Sequence, residues 1–165
     1  MALENLRMDA DTLALELKPE DDRNKVSHLT VENRQLREVI QSLLEKQQAR
    51  FIVSVGSDRR EHTGKFEVTQ VFSLDSLGRY VLVRTPVNPS NTVIDSITSL
   101  IPGANFSERE IQDLLGIKPE GHPDPRRLIL PDDWPDGIHP LRKDFVEPEE
   151  YHGIGMQRES LLRRE

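Results

Sequence analysis

The sequence predicts an α+β fold: a mixed, largely antiparallel sheet with helices packed on one face, followed by an extended proline-rich C-terminal segment. Three observations carry this reading. Apolar residues alternate with a period of two in several short runs, the mark of strands with one buried face. One stretch, Leu36, Val39, Ile40, Leu43 and Leu44, keeps helical spacing instead. Beyond Gly116, prolines at 119, 123, 125, 131, 135 and 140 remove backbone donors and fix φ, which opposes regular structure over a long stretch. The expected divisions are a flexible N-terminus over 1–11, an α+β domain over 12–117, an extended proline-rich docking segment over 118–146, and a tail over 147–165.

In chain order, Thr12 to Leu17 places Leu13, Leu15 and Leu17 on one strand face. Turn chemistry at Pro19–Asn24 then leads to a second strand, Lys25–Val31, giving a hairpin. Asn33 is placed to cap a helix running to about Gln48. Phe51–Val55 is a nearly continuous apolar run and reads as a buried strand, broken by Gly56-Ser57-Asp58-Arg59-Arg60. Phe66–Leu74 puts Phe66, Val68, Phe72 and Leu74 on one face. Asp75–Gly78 turns the chain, and Tyr80–Arg84 returns antiparallel. Pro86 and Pro89 are expected to stop that strand. A helix is predicted from about Thr92, with Asp95 in a capping box and Pro102 ending it. A second is predicted over Ser107–Leu115, with Ser107 as cap, Glu110 closing the box, and Glu108 and Glu110 at the positive end of the dipole. Gly116 ends it in the left-handed conformation. Within the proline-rich stretch, only Arg127–Leu130 reads as a possible short strand.

Composition narrows the function classes. The chain has 165 residues, a formal charge of −7 and no cysteine. The acidic balance argues against nucleic acid or an anionic membrane as partner. The missing thiols exclude disulfides, iron–sulfur ligation and thiolate metal sites within this sequence. No apolar run approaches the roughly 20 residues of a membrane span. The opening MALENLRMDADTLALELKPE has neither a basic region nor an apolar signal core, so no export is expected.

The densest segment is Phe106–Phe145, rich in charge, proline and glycine. His122 and His139, with Asp124, Asp132, Asp133, Asp136 and Asp144 nearby in sequence, are the metal-ligand candidates. Their spacing lacks the paired pattern that a helical or hairpin site needs. Ser107 is better used as a cap, Ser57 lacks the G-x-S-x-G context of a nucleophile, and no glycine-rich phosphate loop is present. Adjacent Asp132 and Asp133 point apart, which disfavours joint acid–base work. What remains is an arginine-rich surface: 16 of the 22 basic residues are Arg. Arg109, Arg126, Arg127 and Arg142 cluster with Trp134, a combination enriched where proteins bind each other.

Glu108-Arg109-Glu110, Asp113, Gly116-Ile117, Gly121-His122-Pro123, Arg126-Arg127-Leu128 and His139-Pro140-Leu141-Arg142-Lys143-Asp144 together resemble the signature of the small hydrophilic C subunit of respiratory complex I. The same domain occurs in energy-converting membrane-bound nickel–iron hydrogenases and formate hydrogenlyases. The resemblance is fainter over Lys25–Thr85, at Gly56-Ser57-Asp58-Arg59 and Gly64-Lys65-Phe66. Ile111, Leu115 and Pro119 stand where complex I members tend to carry aromatics, and Arg126–Asp136 looks more like the hydrogenase branch.

The resemblance implies a non-catalytic, cofactor-free scaffold subunit, peripheral on the cytoplasmic face of the membrane. Its expected partners are a nickel–iron-type catalytic large subunit, taken to be a separate polypeptide, and an iron–sulfur small subunit. Those partners would hold the nickel–iron centre and the iron–sulfur clusters. The expected partner interface comprises Glu108, Arg109, Glu110, Asp113, His122, Pro123, Arg126, Arg127, Trp134, His139, Pro140, Leu141, Arg142, Lys143 and Asp144, or internal bracing beneath it. Ser107 and Gly116 are expected to be structural. Two alternatives stay open: the equivalent subunit of a complex I-type NADH/quinone oxidoreductase, and a stand-alone metal-dependent enzyme using His122 and His139.

Overall fold

The computed structural model describes residues 25–146 together with 150–151 and 154–155. The expected Thr12–Leu17 strand and its hairpin lie outside the described residues. The sheet is mixed. Strands β1 (Val26–Thr30), β2 (Arg50–Arg59), β3 (Lys65–Leu74) and β4 (Arg79–Val87) line up in the order β1-β4-β3-β2. β1 runs parallel to β4, and the other two pairings are antiparallel.

Alternation in β3 and β4 decides which face is buried. Phe66, Val68, Phe72 and Leu74 lie on the inner face with Val81, Val83 and Val87, all at most 3% exposed. Against this face pack α1 (Asn33–Gln47), through Leu36, Val39, Ile40 and Leu43, and a later helix, α3 (Asn105–Leu115), through Ile111 and Leu115. A four-residue helix, α2 (Arg60–Thr63), separates β2 from β3. Short parallel strands β5 (Val93–Asp95) and β6 (Lys118–Glu120) pair beside the main sheet. A two-residue hairpin, β7 (Glu150–Tyr151) and β8 (Ile154–Gly155), follows.

Several expectations are corrected. Asn33 does not cap α1; it is the first helical residue, after an N-cap at Glu32. Its amide instead pairs with Asp95, donating to the carboxylate at 2.9 Å and accepting the Asp95 backbone N–H at 2.8 Å. Asp95 therefore starts no helix: Val93–Asp95 is a strand held on one side by β6 and on the other by α1. Pro86 does not stop β4. Even-numbered residues there face β1, as Tyr80 N and Arg84 O show, and β1 has ended by Pro86, so its missing N–H interrupts no strand pairing. Pro119 is likewise tolerated within β6, because Lys118 N and Glu120 O make the contacts to the neighbouring strand. β6 thus carries regular structure into the stretch expected to lack it.

The strand predicted over Phe51–Val55 runs on to Arg59, through the expected break at Gly56. It is not a buried strand either, since Val53 and Val55 are exposed. Gly56 sits on the inner face, where the side chains of Leu115 and Ile111 occupy the space a Cβ would take. That close approach seats α3 on β2. Replacing Gly56 with Val should overfill the contact and cost about 1–3 kcal/mol, measured by urea unfolding. Unchanged stability would show that α3 does not lean on β2 at this point.

Candidate functional site

α3 is the centre of the site. It does not start at Ser107 with a capping box. Pro102–Ala104 forms a 3-10 turn that leads into the helix at Asn105, with Ala104 as N-cap. Ser107 is within the first turn, where its hydroxyl donates back to Ala104 O at 3.1 Å, and Glu110 is exposed. Ile111 and Leu115 face the sheet, while Arg109 and Asp113, four residues apart, share another face with their polar ends nearly buried.

Glu108 is 5% exposed and accepts from Ser96 Oγ, Ile97 N and Thr98 Oγ1 at 2.6–2.7 Å. A buried carboxylate without its donors would be costly, so these contacts fix the 96–98 loop against the helix. His122 lies alongside, its Nε2 3.8 Å from the Glu108 carboxylate. The Asp124 amide donates to His122 Nδ1, which places the ring proton on Nε2, facing Asn105 O at 3.3 Å.

Asp113 does the same for the next segment. Its Oδ2 accepts three successive backbone amides, Leu128 and Ile129 at 2.8 Å and Leu130 at 3.3 Å. Three N–H groups turned onto one oxygen cannot form a strand ladder, so Arg127–Leu130 is not the predicted strand. Arg109 donates from Nε and Nη2 to the carbonyls of Arg126 and Arg127, both at 2.8 Å. Arg126 itself turns outward and forks onto Asp124 at 2.7 and 2.8 Å. Arg127 pairs with Asp136, and Trp134 donates its indole N–H to Ile138 O.

The C-terminal end of α3 explains the His139–Asp144 run. A helix leaves its last carbonyls without internal donors. Gly116, at φ 69°, donates its N–H to Gln112 O. His139 Nδ1–H donates to Asp113 O at 2.8 Å, Leu141 N to Leu114 O at 3.0 Å, and Arg142 Nε to Leu115 O at 2.7 Å. A guanidinium there also suits the negative end of the helix dipole. Arg142 and Arg60 both lie over the Phe66 ring, at 5.2 and 4.7 Å. Arg60 grips two carboxylates, Asp58 below and Asp144 above, and the Lys143 amide donates to Asp58.

Of the expected interface residues, then, Glu108, Arg109, Asp113, His122, His139 and Arg142 are internal braces. Glu110, Pro123, Arg126, Leu141, Lys143 and Asp144 are exposed, while Arg127, Trp134 and Pro140 are partly covered. His122 and His139 spend their rings on backbone groups and do not form a ligand pair. Among the described residues no three His, Asp or Glu side chains converge as metal ligands. No helix there is long and apolar enough to cross a membrane. Sequence reading missed Asp58 and Arg60 as braces, because their partners are more than 80 residues away.

A sheet with a helix, α3, that spends its polar groups on holding a peptide segment in one shape defines a framework that displays a surface. Residues 29–151 match the family of the respiratory-chain NADH dehydrogenase 30 Kd subunit. The chain belongs to that family. It is 39% identical over 72% of its length to formate hydrogenlyase subunit 5 of Escherichia coli and 37% identical over 72% to that organism's hydrogenase-4 component G. It is 40% identical over 70% of its length to the C subunit of the NADH-quinone oxidoreductase of Mesorhizobium japonicum. The match spans about a fifth of the two Escherichia coli proteins, 21% and 22%, and 57% of the third. Among solved structures, a trypsin-resistant fragment of Nqo5 superposes with a TM-score of 0.56 at 26% identity, covering 64% of this chain and 86% of the fragment. A chain of a membrane-bound sulfane sulfur reductase shares the fold, with a TM-score of 0.69 at 21% identity over 83% of this chain and 81% of that one.

Two outcomes test the bracing. A Cβ at Gly116 would strain a left-handed residue and also meet His139 and Arg142. Gly116→Ala should therefore cost more than the about 1 kcal/mol of the backbone effect alone, measured by chemical unfolding. A loss no larger than that would mean the 139–142 run is not seated on the helix end. The second outcome concerns acid. Hydrogen bonds from Arg60, helped by the Lys143 and Arg60 backbone amides, hold Asp58 well below the usual carboxylate range. A depressed folded-state pKa gives stability that is present above the unfolded value, near 4, and lost as pH falls below it. The urea midpoint should fall from about pH 5 to pH 3, and Asp58→Asn should flatten that slope. An identical slope in the variant would remove Asp58 from the account.

Proposed function

We propose that this chain is a non-catalytic hydrophilic scaffold subunit of a membrane-bound energy-converting nickel–iron hydrogenase complex, docking on the catalytic large subunit in the peripheral arm. The observation that carries the reading is the preorganised segment 126–145. Its backbone is fastened from beneath by Arg109, Asp113 and the carbonyl end of α3, while Ile129 and Leu141 stand 54% and 58% exposed on it. A prearranged surface loses little entropy on binding, and apolar groups raised on a polar segment suit a partner that covers them. The hydrogenase assignment draws on the two Escherichia coli relatives, whose names place them in formate hydrogenlyase and hydrogenase-4.

In this reading the nickel–iron centre and iron–sulfur clusters belong to the large subunit and the iron–sulfur small subunit, and this chain sits peripherally on the cytoplasmic face of the membrane. The similarity to the NADH-quinone oxidoreductase relative favours a second parent, a complex I-type NADH/quinone oxidoreductase. Genomic neighbours encoding a nickel–iron large subunit would favour the first parent, and quinone-reducing modules the second.

The test is affinity capture through the tagged chain. Ile129→Asp combined with Leu141→Asp should lower recovery of partner subunits roughly tenfold or more while leaving the chain's unfolding midpoint in place. Full recovery with full complex activity would contradict docking through this segment.

A further inference from the structure

The opposite side of the sheet carries a second feature that the docking segment does not use. β2 lies at the border of the sheet, and its far edge takes no backbone hydrogen bond between Phe51 and Ser57 among the described residues. Strand borders are usually blunted by charge, proline or brevity. β2 is ten residues long, and Phe51–Ser57 carries no charge and no proline. Its single bulge, at Ile52, leaves Val53–Arg59 in regular register with β3.

The outer face beside this edge is apolar and open. Val53, Val71 and Leu82 form one cross-strand row, and Ile52, Val53 and Val55 are 42%, 37% and 44% exposed. At the C-terminal end of β2 the row turns cationic. Arg59 lies opposite Lys65, Glu67 stands in the next row opposite Ser57, and Arg84 in the row after that, opposite Thr69. Glu67 is the one carboxylate among them, 3.3 Å from Arg59 and 4.0 Å from Arg84. Three cations share one acid on this face, in a chain whose net charge is −7.

We infer that β2 is a strand-addition site. It takes an extended segment of another subunit of the complex, apolar where it passes Val53 and Val55 and bearing a carboxylate where it reaches Arg59 and Lys65. Backbone hydrogen bonds supply the pairing, and alternate side chains supply the selection. The acid is specified by the surplus of positive charge, which Glu67 alone does not balance. This site is separate from the 126–145 surface, though it rests on the reading of the chain as a subunit.

The test compares hydrogen exchange over residues 51–57 in the isolated full chain and in the complex recovered through it, with carbodiimide as a zero-length cross-linker. The expected result is slower exchange of β2 amides in the complex, with Lys65 joined to an Asp or Glu of another subunit. Val55→Lys should remove both signals, lower recovery of that subunit roughly tenfold and leave the free chain's unfolding midpoint unchanged. An intact complex with unchanged exchange over 51–57 overturns this inference and spares the scaffold reading. A free chain that is dimeric by sedimentation, with β2 already protected, overturns it in favour of a second copy. Recovery of no other subunit overturns both readings.

Discussion

The last carbonyls of α3 must find donors, and most of the site follows from how they do. Gly116 supplies one N–H and turns the chain away. The others come from His139, Leu141 and Arg142, more than 20 residues further on. A helix end buried without partners would cost several lost hydrogen bonds. Closing it with a distant segment fixes that segment's path. Asp113 adds a second fastening one turn earlier, on amides that point inward because no sheet claims them. The intervening residues, 131–138, are then held at both ends.

Glu108 works in the other direction, gathering the loop before the helix. The two buried carboxylates thus divide the chain's irregular backbone between them, and neither relies on a lysine or arginine within hydrogen-bonding reach. This accounts for a segment rich in charge and proline that nevertheless has a definite shape. Proline keeps the unfolded alternatives few, and the helix supplies the acceptors that proline leaves room for. The exposed residues that result, Ile129 and Leu141 among them, are presented by rigid supports, which is the condition for recognition at low entropic cost.

Much of the sheet was legible because burial there follows simple alternation, as in Phe66–Leu74, and Gly116 was legible because a glycine after the last inward apolar residue has few other reasons to be there. The misreadings share a cause. Asp95 carries a helix-cap signature, but its partner is Asn33, 62 residues back, and sequence spacing says nothing of such a pair. Ser107 carries a cap signature with Glu110, but the 3-10 turn at Pro102–Ala104 leads into the helix at Asn105 and puts Ser107 inside its first turn. Gly56 read as a strand breaker, although it is there to let Leu115 close on β2. At the site, composition marked Arg109, Asp113, His139 and Arg142 as important. It could not distinguish a side chain that meets a partner from one that supports the surface beneath it, since both are polar residues in a loop-rich segment. That distinction needed the distances to backbone carbonyls and amides.

The displayed segment is shaped before any partner arrives. Hydrogen exchange of the Leu128, Ile129 and Leu130 amides in the isolated full chain tests it most directly. All three should exchange far more slowly than unstructured peptide, and Asp113→Asn should speed all three together while the amides of β3 keep their protection. Exchange of these amides at unstructured rates in the unmodified chain would contradict the account, because the segment would then take its shape from the partner rather than from α3.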